Sequence, residues 1–140
     1  MSAASPWRIQ WTEALSVGVP DIDAEHQHFF GLVNELNKAV RERRADILSL
    51  NKMLREILAV ARAHFAHEEQ LFAHHGYPGH EHHAEEHEAL LKTLDTLLTG
   101  LRDDTPETEW IVAGLKIRDA LVEHVFEEDM KYRGMTVSIV

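Results

Sequence analysis

Cysteine is absent from the 140-residue sequence. That absence removes disulfides, thiolate nucleophiles, iron–sulfur clusters and zinc-ribbon sites in one step. Basic charge is also scarce. Fourteen Lys and Arg stand against 24 Asp and Glu, a formal net charge of −10, and such a surface repels phosphate backbones and anionic leaflets alike. Neither a nucleic-acid nor a membrane partner fits it. The longest uninterrupted aliphatic stretch is Ile57 to Ala61, far short of the ~20 residues a spanning helix needs. The opening segment Met1 to Trp7 has no basic n-region and no apolar h-region, so the expected location is the cytoplasm. With 44% hydrophobic and 27% charged residues, the composition is that of one soluble globular domain.

Proline is confined to positions 6, 20, 78 and 106, and glycine, apart from Gly31, to 18, 76, 79, 100, 114 and 134. Long uninterrupted stretches remain between these breakers. From Ile22 to Arg43, the residues Ile22, His26, Phe29, Phe30, Val33, Leu36 and Val40 recur at offsets of three and four, one face of a helix behind an Asp21 cap. A second helix is predicted from Asp46 to His75, closing at Gly76, and a third from His80 to Leu101. The fourth opens at Thr105-Pro106 and runs to Tyr132. Only the last residues, Thr136 to Val140, read as extended. The predicted architecture is all-α, an antiparallel up-down-up-down four-helix bundle. An N-terminal arm (1–20) packs on the bundle (21–133), and a tail (134–140) follows it.

What the sequence has in excess is histidine, 11 of 140 residues. His26, His64, His83, His87 and His124 fall in register with the apolar stripes and are predicted to point inward. One such histidine is ordinarily a satisfied core residue. Five on four facing helices are different, because each unsatisfied buried polar group costs ~1–3 kcal/mol, and a shared ligand removes that cost. Glu68 lies four residues after His64, about 40° round the helix and one turn on. His83 and His87 form a second pair at that spacing. Asp129 follows His124 by five residues, about 140° round a continuous helix, so both reach one site only if the carboxylate extends along the helix seam. Seven ligands are too many for one metal ion and suit two ions with shared carboxylates.

Four segments carry a family likeness. They are Ile22-Asp23-Ala24-Glu25-His26 before Phe29-Phe30, His64-Phe65-Ala66-His67-Glu68-Glu69, Tyr77-Pro78 with His83 and His87, and His124 with Asp129. Together they resemble the hemerythrins, in particular the bacterial single-domain members, over Trp11 to Tyr132. The resemblance implies that His83, His87 and His124 hold one non-haem iron, that His26 and His64 hold a second, and that Glu68 and Asp129 bridge them beside an oxo or hydroxo group. It implies O₂ as the ligand, taken up reversibly at the second iron by a carrier or reservoir with no catalytic residues. Two positions depart from the bacterial pattern: Ala120 stands where many relatives carry tryptophan, and Val60 where tyrosine is frequent. Both are smaller, which is expected to ease access to the irons.

Other readings use the same ligands. An O₂ or redox sensor would pass its signal by docking, and a diiron peroxidase or nitric-oxide-handling protein would draw on a reductant. A third reading places extra metal on His74, His75, His80 and His82 between the second and third helices, a group more simply read as a solvated rim. His28 and His67 lie off the main stripes, and Glu69, Glu85 and Glu86 read as solvated faces. The chain is expected to be a monomer, with an oxygen-consuming enzyme or a redox protein as its protein partner.

Overall fold

The computed structural model describes residues 7–42, 46–102 and 104–133. Four helices account for most of them: α1 (Pro20–Glu42), α2 (Ile47–His75), α3 (His80–Thr99) and α4 (Glu107–Glu127), with short 3₁₀ turns at Glu13–Leu15 and Asp129–Tyr132. No strand occurs among the described residues, and the segment read as extended, 136–140, lies outside them. No described helix is long and apolar enough to cross a membrane.

Several helix ends differ from the sequence reading, each for a local reason. Helix α1 begins at Pro20, whose fixed φ suits the first helical position. Asp21 therefore lies in the first turn, not at the cap, and the carbonyl of Val19 takes the first bond, from the Asp23 amide at 2.9 Å. The Thr105 hydroxyl accepts from the Arg102 amide at 2.7 Å. It serves the preceding loop, and Pro106 stands at the α4 cap position with extended ψ. Helix α4 stops at Glu127, and the chain tightens into the 3₁₀ turn that holds Asp129 and Tyr132. Helix α3 ends at Thr99, before Gly100. Helix α2 fits the reading closely. The Asp46 carboxylate accepts from the Ser49 amide at 2.8 Å, and Gly76 closes the helix in the left-handed conformation at φ 63°, where glycine carries no steric penalty.

Each helix packs on two neighbours, α1 on α2, α2 on α3, α3 on α4 and α4 back on α1. His26 near the start of α1 meets His64 in the second half of α2, with ring centroids 4.6 Å apart. His83 near the start of α3 meets His124 near the end of α4 at 5.2 Å. Starts meet ends at one pole of the bundle, so neighbouring helices run antiparallel. The apolar core fills the rest of the length, with Leu36, Leu54, Ile57, Leu94 and Ile117 nearly inaccessible. Val17, Ile22, Phe72 and Tyr132 form a smaller cluster. The lead-in segment lies on α1: the Ile9 amide donates to Asn34 Oδ1 at 2.8 Å and its carbonyl accepts from Asn34 Nδ2 at 2.9 Å, while Ser16 and the Val17 amide both donate to the Asp23 carboxylate.

Helices α1 and α4 approach closely at Gly114, whose carbonyl accepts from the buried Asn37 Nδ2 at 3.2 Å. A methyl group at Gly114 would stand 2.0 Å from Asn37 Oδ1, whereas one at the exposed Gly31 would meet nothing within 4 Å. Two glycine-to-alanine changes should therefore have opposite signs. Gly31→Ala is expected to stabilise the fold by about 0.5–1 kcal/mol through helix propensity, and Gly114→Ala to destabilise it by about 1–3 kcal/mol through overpacking. Urea denaturation of the two variants checks this, and Asn37→Ala should relieve much of the Gly114→Ala penalty.

Candidate metal centre

The inward stripes of all four helices converge at the pole where starts meet ends. Helix α1 supplies His26 there, α2 supplies His64 and Glu68, α3 supplies His83 and His87, and α4 supplies His124. The 3₁₀ turn adds Asp129. Each of these seven side chains is at least nine-tenths buried, and Glu68 and Asp129 are 0% exposed. The break at Glu128, with φ −103° and ψ −49°, resolves the five-residue offset of Asp129. After that departure Asp129 stands buried with its Oδ1 3.1 Å from His124 Nε2, where a continuous α-helix would have set the two about 140° apart.

The seven fall into two overlapping sets. Glu68, His83, His87, His124 and Asp129 form one, and His26, His64, Glu68 and Asp129 the other, with ligand atoms in each set lying within 4.8 Å of one another. Glu68 and Asp129 belong to both. His87 Nε2 lies 3.0 Å and His64 Nε2 3.3 Å from Glu68 Oε1. His83 Nε2 and His124 Nε2 lie 2.9 and 3.1 Å from Asp129 Oδ1, and His26 Nε2 3.2 Å from Asp129 Oδ2. These approaches are short but mostly misaligned for hydrogen bonding. The Nε2 atoms of His26, His64, His83 and His124 and both oxygens of Asp129 are buried without a hydrogen-bond partner. Buried polar atoms are ordinarily paired, and so many converging on one point fit a cation pair. Imidazole and carboxylate donors in this number suit iron, manganese or zinc.

An outer layer holds the imidazoles. His64 Nδ1 lies 2.6 Å from Glu25 Oε1, and His67 Nδ1 lies 2.5 Å from Glu25 Oε2. A proton on the His64 Nδ1 leaves its Nε2 lone pair facing the cluster. His87 Nδ1 approaches Glu69 Oε2 at 3.3 Å, so Glu69 is more than a solvated face. Phe65 stacks on His87 at 4.1 Å and 11°, Phe30 stacks on His26 at 6.0 Å, and Phe72 sets its edge against His83 at 4.7 Å. The Tyr132 hydroxyl, fully buried, donates to Glu68 Oε2, which leaves Oε1 for the histidines.

Electrostatics follow from burial and proximity. Burial, reinforced by Asp129, raises the Glu68 pKa above the ordinary carboxylate range. Burial pushes Asp129 the same way, yet the ring nitrogens of His124, His26 and His83 overcome it and hold Asp129 well below its usual value. Burial, with His83 and His124 beside it, lowers His87 to about 4, and burial likewise lowers His64. For His124 burial is outweighed by Asp129, and the net shift is upward. Burial and the charge of Glu68 raise Tyr132, which stays protonated and donating.

Comparison with known proteins agrees with this arrangement. The model of the hemerythrin HHE cation-binding domain matches residues 17–135. The chain belongs to the hemerythrin family. Among curated relatives it is 28% identical over 135 residues to a hemerythrin-like protein of Naegleria gruberi, covering 96% of this chain and 99% of that one. It is 29% identical over 134 residues to a myohemerythrin of Riftia pachyptila, covering 96% and 98%. A bacteriohemerythrin of Stenotrophomonas maltophilia matches at 28% over 84 residues, which is 60% of this chain and 54% of that protein's length.

The remaining histidines separate. His28 is exposed and His67 half-buried. The group read between the second and third helices does not gather: His74 and His75 end α2 with rings 4.6 Å apart, His80 Nδ1 lies 2.9 Å from the Tyr77 carbonyl, and His82 turns to Glu86 and Glu128. Sequence reasoning missed Glu25, Glu69 and Tyr132 as supports. Glu25 sits one residue before His26 in a quoted motif, a signal that was available. Tyr132 gave none, because an aromatic at a helix end reads as packing.

The depressed histidines make acid sensitivity testable in the metal-free protein. Between about pH 4 and 6.5, the folded chain holds His87 neutral while the unfolded chain protonates it. The stabilisation is therefore complete above 6.5 and lost as the pH falls towards 4. His64 acts in the same sense, and His124 and Glu68, whose pKa values are raised, in the opposite one. In urea denaturation of the metal-stripped chain, the difference in pH dependence between wild type and His87→Gln across this interval should amount to about 2–3 kcal/mol, the wild type losing more stability as the pH falls.

Proposed function

We propose that this chain binds dioxygen reversibly at a pair of non-haem iron ions, as a cytoplasmic, monomeric oxygen carrier or reservoir and not as an enzyme. The observation that carries the reading is the set of converging, unpartnered buried donor atoms, divided by two shared carboxylates into two ligand sets. His83, His87 and His124 would hold one ion, His26 and His64 the other, and Glu68 and Asp129 both. When bound, the ion pair supplies the electrons that dioxygen takes up and returns. The curated relatives named hemerythrin-like protein, myohemerythrin and bacteriohemerythrin support the choice of iron and oxygen.

The chain's own residues favour capture and release. Five neutral imidazoles and only two carboxylates donate less charge than a carboxylate-rich bundle centre does, which disfavours cleavage of the O–O bond. The set built on His26 and His64 has fewer protein ligands, and it lies against the rings of Phe30 and Phe29. That apolar wall limits water at the more open position. Glu25 keeps the His64 ring in one orientation, and the Tyr132 hydroxyl fixes one Glu68 oxygen so that the other faces the ions. Protein partners of this role would be an oxygen-consuming enzyme or a redox protein.

Anaerobic loading with ferrous iron, metal quantification and visible spectra through cycles of oxygen addition and removal test the reading. Two irons per chain and an absorption band that comes with O₂ and goes on deoxygenation are expected. Immediate, stable oxidation with no reversible band overturns the carrier role and leaves a sensor or a redox enzyme.

Small residues at two crevices set a second expectation. Val60 lines a cavity of about 240 Å³ with Glu25, His28, Ala63 and His64, and Ala120 lines a groove of about 220 Å³ that reaches His124. Both lead from the surface to a candidate ligand. Ala120→Trp should slow autoxidation of the oxygenated form several-fold, and equal rates in the two proteins would show that the groove is no route for solvent.

A further inference from the structure

The groove between α3 and α4 has chemistry that the buried cluster does not use. His82 and Glu86 stand one turn apart on α3, and Glu128 faces them from the break after α4. His82 Nε2 lies 3.3 Å from Glu128 Oε2 and 3.8 Å from Glu86 Oε1, and one ligand atom from each of the three falls within 4.8 Å of the other two. Two ligands about 2.1 Å from one ion stand about 3.0–3.4 Å apart at octahedral or tetrahedral angles. The shorter separation already matches. The longer one closes by a small rotation of exposed side chains.

Placement makes this trio more than a patch of surface charge. His82, Glu86 and Glu128 each immediately precede a buried cluster residue, namely His83, His87 and Asp129. Adjacent residues on a helix differ by about 100°, so the same two elements present one set inward and the other outward, with Glu86 and Glu128 lining the groove and His82 set against Glu128. The groove, about 220 Å³, is lined by Glu86, Glu123, Glu127 and Glu128, with Ala120 and His124 in its wall. His124 is only 8% exposed, and its Nε2 is buried without a hydrogen-bond partner. A buried ligand of the inner set thus forms part of an acidic groove open to solvent.

We propose that His82, Glu86 and Glu128 form an outer divalent-cation site through which ferrous ions enter the buried cluster by way of His124. The inference rests on the metal-binding reading of that cluster. Carboxylates lining a low-dielectric groove concentrate cations at its mouth. Lys131 Nζ, 3.2 Å from Glu128 Oε2, is the ammonium an arriving ion displaces. Its exposed side chain can swing away without uncovering the core. His82 and the two carboxylates then hold the ion one residue removed from His83, His87 and Asp129, which take it over.

The test compares the metal-free full chain with His82→Ala/Glu86→Gln, Lys131→Ala and, as a control outside the groove, His74→Ala. All four positions are on the surface, and far-UV circular dichroism checks that the variants keep their helices. Two quantities are read: zinc ions bound per chain at equilibrium, and the initial rate of anaerobic Fe²⁺ uptake at low ionic strength. The double variant should bind one zinc fewer and take up iron about tenfold more slowly, the lower end of what a charged cleft supplies. Lys131→Ala should load faster than the wild type and His74→Ala at the wild-type rate. Either an unchanged zinc count or an unchanged uptake rate in the double variant overturns the proposal. A wild-type chain with a single zinc that the double variant loses would instead retain the outer site and refute the buried pair.

Discussion

Burying two carboxylates at one pole of a four-helix bundle is the constraint on which the rest of the structure depends. Glu68 and Asp129 have no access to water, and isolated charges in such surroundings are strongly disfavoured. Among the described residues the fold offers them imidazole nitrogens and one tyrosine hydroxyl. Without a cation the arrangement is a compromise. Glu68 drifts towards its neutral form, Asp129 stays ionised through His26, His83 and His124, and several donor atoms find no partner. A divalent pair, as proposed, would relieve all of these at once, because it would supply positive charge at the point where the orphaned lone pairs converge. Binding energy of this kind is also folding energy, since the unfolded chain has no preformed site.

The same constraint explains why the bundle is irregular where it is. A straight α4 would bury His124 and send Asp129 outward. The chain instead leaves the α-helix at Glu128 and closes a 3₁₀ turn, which turns Asp129 inward and carries Tyr132 onto Glu68. One local change of backbone thus delivers a candidate ligand and the hydrogen bond that orients another. Elsewhere the helices stay regular, and the aromatic rings of Phe30, Phe65 and Phe72 fix the imidazoles by stacking and edge contacts.

Much of this was legible in the residues themselves. Offsets of three and four along Ile22 to Val40, or from Leu50 to Phe72, report a buried face directly, and a histidine in that register must share the burial. The i, i+4 pairs His64 with Glu68 and His83 with His87 make their convergence readable from spacing alone. Asp129 was harder, because its position depends on a helix ending that no glycine or proline announces. Tyr132 and Glu69 were not legible as supports, since a tyrosine at a helix end and a glutamate beside a ligand have many ordinary explanations. The crowding of His74, His75, His80 and His82 along the chain suggested a cluster that three-dimensional placement disperses. His74 and His75 close α2 in contact with each other, while His80 turns back to the Tyr77 carbonyl and His82 to Glu86 and Glu128.

That step also relates the buried cluster to the groove beside it. A helix that aims His83 and His87 at the core must carry His82 and Glu86 to the adjacent face, and the break that aims Asp129 inward leaves Glu128 outside. Positions flanking buried ligands are therefore constrained in location though free in chemistry. Lysine there would repel arriving cations, and alanine would be neutral. Here the flanking positions hold an imidazole and two carboxylates, with Glu123 and Glu127 nearby and Lys131 as the adjoining ammonium. A chain with a net charge of −10 attracts cations over its whole surface, but long-range attraction fades within about 8 Å at physiological ionic strength. Charge within that distance still acts on an arriving cation, and Glu86, Glu123, Glu127 and Glu128 line the α3–α4 groove together with His124.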